Sequence, residues 1–162
     1  MAFLDSLAAR AIGLLSGEQL PQVCADALEE GYESTSLAAL AGEYGLPYDP
    51  WRHESLFEEA LRELKLSLPG TMEAAALLIR RNAESVVAGS LTPREGSRRI
   101  LEVYSQVESE VPVKRYVGDG LGIERLVGIF YSHDDVPFGQ EHLHAKIDAD
   151  LLDECTKLSG VV

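Results

Sequence analysis

The sequence predicts an all-α fold: a single compact helical domain of seven or eight helices built around a central antiparallel helical hairpin. Three observations predict it. Apolar residues recur at helical spacing along most of the 162 residues. Each periodic stretch is closed by glycine or opened by a capping residue. The two clearest patterns, Thr71 to Ala88 and Pro93 to Val107, are joined only by Gly89-Ser90-Leu91-Thr92, a connection short enough to pack the helices antiparallel.

In chain order, Phe3, Leu4, Leu7, Ala8, Ala11, Ile12 and Leu15 trace one helical face, with Asp5, Ser6 and Arg10 opposite and Gly17 as the stop. A second helix over Glu18 to Glu30 turns Leu20, Val23, Cys24, Ala27 and Leu28 inward, provided that Pro21 falls in its first turn. Gly31 ends it. Ser34 or Thr35 caps a short third helix through Leu37, Leu40 and Ala41, which stops near Gly42 to Gly45. Asp49 then caps and Pro50 starts a fourth helix with the stripe Leu56, Phe57, Ala60, Leu61 and Leu64. Trp51 and His53 lie in its first turn, where local packing accounts for them better than a ligand pocket.

The first arm of the hairpin begins at Thr71 and buries Ala75, Ile79, Ala83 and Val86, with Gly89 as its C-terminal stop. In the second arm Thr92 is the N-cap, Pro93 the first helical residue and Glu95 the return partner of a capping box. Ile100, Tyr104 and Val107 face inward, and Gly96 or Ser97 allows close approach of a neighbour. Residues 1–107 thus read as regular helices and 108–122 as an irregular connection, in which Gly118-Asp119-Gly120-Leu121-Gly122 lacks the spacing of a dinucleotide fingerprint and reads as a mobile hinge. Residues 123–162 read as C-terminal helices. The run from Ile123 to Tyr131 fits helix or buried strand, and helix agrees with its neighbours. The last helix turns Leu143, Ile147, Leu151, Cys155 and Leu158 inward.

Size and composition narrow the functional classes. A chain of this length buries roughly 70 % of its unfolded surface without metal or disulfide support. Cys24 and Cys155 are read as buried thiols of a reducing cytoplasm. No apolar run is long enough to span a membrane, and no basic leader precedes the early apolar stretch. With 27 acidic and 14 basic residues the net charge is -13. That charge repels nucleic-acid phosphates and suits either solubility or docking onto a basic protein partner. The acidic group Asp26, Glu29, Glu30 and Glu33 around the second helix stop is the candidate partner-binding patch.

Catalytic motifs are lacking: no G-x-S-x-G elbow, no P-loop and no H-E-x-x-H occur. The one constellation with ligand chemistry is His133, Asp134, Asp135, Glu141 and His142, with His144 nearby, whose imidazoles and carboxylates suit zinc, manganese or iron. His142 and His144 stand two apart, so they point to different sides of a helix. The bland alternative is that the aspartates cap or turn the chain and the histidines are exposed.

The strings Gly89 to Gly96 and Glu30 to Gly42, together with Asp134-Asp135 after an apolar stretch, resemble segments of small all-helical bacterial proteins of uncharacterised function. The resemblance implies a bacterial, helical, non-secreted protein and no particular activity. The leading functional expectation is therefore a cytoplasmic, acidic protein–protein interaction module of the immunity or adaptor type, with no cofactor. The alternative is a metal-binding protein or metal-dependent enzyme using the His133 to His144 region. A self-associating homodimer is the third.

Overall fold

A computed structural model describes residues 2–111, 116–137, 140 and 142–160. Among them every regular element is a helix: α1 (Phe3–Ala11), a 3-10 turn (Gly17–Gln19), α2 (Leu20–Glu29), α3 (Thr35–Ala41), α4 (Pro50–Leu64), α5 (Thr71–Val87), α6 (Pro93–Val107), α7 (Glu124–Ser132) and α8 (His142–Ser159). The all-α fold class is as the periodicity predicts, and the 123–131 run is helical. None of the helices is long and apolar enough to cross a membrane. The Cα packing resolves into two compact units, residues 1–74 and 75–162.

In the first unit α2 packs on α1 and α3, α3 on α4, and the 3-10 turn on α2 and α4. Phe3, Leu20, Leu37 and Leu40 are fully buried, and each such side chain contributes on the order of 1.5–3 kcal/mol by leaving water. α1 is shorter than its apolar spacing suggests. Gly13 adopts φ +80°, the Gly13 amide donates to the Arg10 carbonyl and the Leu14 amide donates to that of Ala9. This is a Schellman closure four residues before Gly17, and Ile12 and Leu15 reach the core from the turn that follows it, while Leu4, in the first turn of α1, is half-exposed. Pro21 sits in the first turn of α2, where its missing N–H costs nothing.

The ends of the short helices are satisfied by distant carboxylates. Ala2 provides no side-chain cap for α1; instead both Glu30 carboxylate oxygens lie 3.0 Å from the Phe3 amide, which donates to them. At α3 the Ser34 hydroxyl accepts from the Leu37 amide at 3.0 Å. Glu63, reaching over from α4, accepts from the Ser36 hydroxyl at 2.7 Å and from its amide at 3.3 Å. The hydroxyl bonds from Ser34 and Ser36, then the Ser36 amide, hold the Glu63 carboxyl below the usual carboxylate range.

In the second unit α6, α7 and α8 pack on one another around Ile100, Val103, Val107, Leu126 and Leu151. Along α8 Leu151 and Cys155 are buried, whereas Leu143, Ile147 and Leu158 are only half-buried. Thr92 caps α6 by accepting from the Glu95 amide at 3.2 Å. Gly96 lies against α5: a Cβ there would stand 2.0 Å from Val86 Cγ2.

Candidate interaction surface

The segment from Gly42 to Trp51 is held at both ends and bare in the middle. At its far end Asp49 accepts from the Arg52 amide at 3.1 Å and Pro50 opens α4, as the Asp-Pro pair predicts. At its near end Glu43 binds the Arg52 guanidinium, and its other oxygen lies 3.1 Å from His53 Nε2. His53 is buried, and that approach is outside hydrogen-bond geometry; Nδ1 likewise has no hydrogen-bond partner among the described residues. The Tyr48 ring packs edge-on against His53 at 5.1 Å. Its hydroxyl lies over Gly17, where a Cβ would stand 2.3 Å from it. Gly17 is thus a clearance for Tyr48 and not a helix stop.

These attachments leave an exposed apolar row. Tyr44 is 66 %, Leu46 61 % and Trp51 89 % solvent-accessible, with Tyr48 at 40 %. Four exposed large apolar side chains thus fall within the eight residues 44–51, a density unlike the singly scattered apolar residues of ordinary surfaces. Trp51 borders a shallow depression of about 390 Å³ lined also by Pro50, Glu54, Ser55 and Glu58. Glu54 is fixed there by Arg10, whose Nη2 lies 2.5 Å from Glu54 Oε1 while its Nη1 donates to the Leu15 carbonyl at 3.1 Å. By their place in the first turn of the helix, Trp51 and His53 are both expected to pack locally. The structure separates them: His53 is packed, Trp51 is not.

The residues of the acidic patch fall around the C-terminal end of α2. Glu30 caps α1 as described, and Asp26 accepts from the Gln22 side-chain amide at 2.6 Å. Glu29 and Glu33 are exposed, and Glu33 borders an open depression of about 440 Å³ with Leu28, Ser34, Thr35 and Ala38. Two of the four, Asp26 and Glu30, therefore accept internal hydrogen bonds, while Glu29, Glu30 and Glu33 are all exposed residues.

Of the candidate metal ligands, Glu141 lies outside the described residues. His133 follows the end of α7, Asp134 and Asp135 are exposed, and His142 is exposed at the start of α8. The ring that meets His133 is that of His144, stacked at 4.0 Å with planes 10° apart. Arg94 joins them, its guanidinium 3.3 Å from His133 Nε2 and 3.2 Å from Asp134 Oδ1. Parallel imidazoles carry their lone pairs in planes that do not converge on one ion, so as placed the pair is a stack and not a chelate. No group of three or more His, Cys, Asp or Glu among the described residues is disposed to hold a metal ion. The role of Arg94, far away in sequence, had no signal in the chain. That only one of His142 and His144 could face His133 was implicit in their spacing.

Both thiols are buried. Burial pushes Cys24 up to about 12 and raises Cys155, an effect partly offset by the Ser97 hydroxyl beside it. Neither presents a thiolate nucleophile at neutral pH.

Fold and surface together define a class: an acidic all-helical protein with an exposed aromatic row beside carboxylates. Set against known protein families, curated proteins and solved structures, the chain finds no match in any of the three.

Proposed function

We propose that this chain is a protein–protein interaction module of the immunity or adaptor type, acting in the cytoplasm, which docks a basic partner through residues 44–51 and the first turns of α4. The single observation that carries the reading is the exposed row Tyr44, Leu46 and Trp51 on a segment pinned by Glu43 and Asp49. Tyrosine and tryptophan supply large contact area at small entropic cost and dominate binding energetics at interfaces. Pre-anchoring the backbone lowers the ordering cost of association. The charge of -13 steers a basic partner toward the surface and disfavours an acidic one.

The test is affinity capture at low salt with the intact chain and with the triple variant Tyr44→Ser, Leu46→Ser, Trp51→Ser, followed by reconstitution of any captured complex from pure components. Support would be a stoichiometric complex whose affinity falls at least roughly tenfold in the variant, the loss of one interfacial anchor. A partner that binds intact chain and variant equally would overturn the reading.

A further inference from the structure

We infer that the depression beside Trp51 receives an arginine side chain of the partner, an inference that rests on the interaction-module reading above. Its lining residues, Pro50, Trp51, Glu54, Ser55 and Glu58, occupy one face of the first turns of α4 at spacings of one, four, five and eight residues. The indole of Trp51 is almost wholly uncovered, and an aromatic face without a partner attracts a cation through its ring quadrupole. Two carboxylates border the same space. Among the described residues Glu54 is oriented by Arg10 through Oε1, no hydrogen bond reaches its Oε2, and Glu58 forms no ion pair.

An aromatic plane, an apolar proline wall and two carboxylate acceptors form a combination that a planar guanidinium satisfies at once. It stacks on the indole, donates in pairs to a carboxylate, and lays its methylene stem along Pro50. An ammonium has the charge without the plane, so lysine fits less well. A phosphate or acidic peptide would meet Glu54 and Glu58 as like charges. A second copy of this chain would bring its own excess of carboxylates.

The experiment uses the fluorescence of Trp51, the only tryptophan in the sequence, so the signal reports this site. The intact chain is titrated at low salt with the peptide Gly-Arg-Gly-Arg-Gly and with the same peptide carrying neutral citrulline for arginine. Two variants accompany it: Glu58→Gln, and the charge-matched control Glu102→Gln, an exposed carboxylate of α6 outside the lining of the depression. We expect saturable change in Trp51 emission with the arginine peptide only, weakened roughly fivefold by Glu58→Gln and left within error by the control. Equal binding of the citrulline peptide, or equal weakening by the control, would overturn the pocket and leave only long-range attraction. The failures are separable: if the triple variant loses its reconstituted partner while arginine peptide leaves Trp51 unchanged, the pocket falls and the module stands. If the triple variant keeps its partner, the module reading itself falls.

Discussion

At the scale of single residues, Gly96 tests how tightly the second unit is packed. It is helical, so its glycine is not required by the backbone, and replacement by alanine would ordinarily gain about 1 kcal/mol of helix propensity. The added Cβ would stand 2.0 Å from Val86 Cγ2 and 3.5 Å from Val86 Cβ. Val86 is buried on a helix, where a β-branched side chain has essentially one rotamer and cannot swing aside. The clash must therefore be relieved by backbone movement, an overpacking cost of about 1–3 kcal/mol. Gly96→Ala is expected to lower the urea midpoint with an unchanged slope; a rise in midpoint would mean that α5 and α6 separate freely at this point. The sequence marks Gly96 as a site of close approach. It cannot distinguish Gly17, whose clearance for Tyr48 arises from a residue thirty-one positions away.

At the scale of elements, the starts of α3, α4 and α6 were legible because each cap is a local event. Ser34, Asp49 and Thr92 all cap the helices their positions predict, and Gly31 and Gly89 adopt the left-handed closures expected of them. Two stops were not legible. α1 closes at Gly13, which the apolar spacing runs through, and α4 closes at Lys65, a non-glycine residue at φ 57°, whose amide donates to the Arg62 carbonyl while that of Leu66 donates to Leu61. The carboxylate caps supplied across helices were equally hidden, since Glu63 stands 27 residues from Ser36. Glu63 has a measurable consequence. Its folded-state carboxyl is held below the ordinary glutamate value of about 4.3, so its stabilisation is fully present above that value and is lost as pH falls through the depressed one. Glu63→Gln should therefore lower the urea midpoint at pH 7, and the gap between variant and parent should close as pH drops below about 4. A gap constant from pH 7 to acid would show that the carboxylate charge contributes nothing and only the side-chain shape matters.

At the scale of the whole molecule, the question is where the surplus negative charge resides. Most described arginines are already engaged: Arg10 with Glu54, Arg62 with Glu59, Arg81 with Glu84, Arg94 with Asp134, Arg99 with Glu95, Arg125 with Glu154. The net charge of -13 is thus carried by carboxylates beyond those pairs, among them Glu29, Glu33 and Glu58 on the surface. Composition revealed this surplus, but the exposed aromatic row that gives it a candidate use depended on which side of α4 faced the core, and Trp51 at the helix entrance falls off the apolar stripe that predicts burial. Salt screens both terms, with a Debye length near 10 Å at about 0.1 M. Exposed ion pairs are worth only about 0–1 kcal/mol each, whereas repulsion among unpaired carboxylates accumulates over the surface. Raising sodium chloride from about 0.02 to about 0.3 M, on either side of that screening range, should therefore raise the urea midpoint of the isolated chain. The same salt should weaken its capture of a basic partner. A midpoint that instead falls would mean that the local arginine pairs outweigh the surplus, and would remove the electrostatic part of the case for a basic partner while leaving Tyr44, Leu46 and Trp51 as its apolar part.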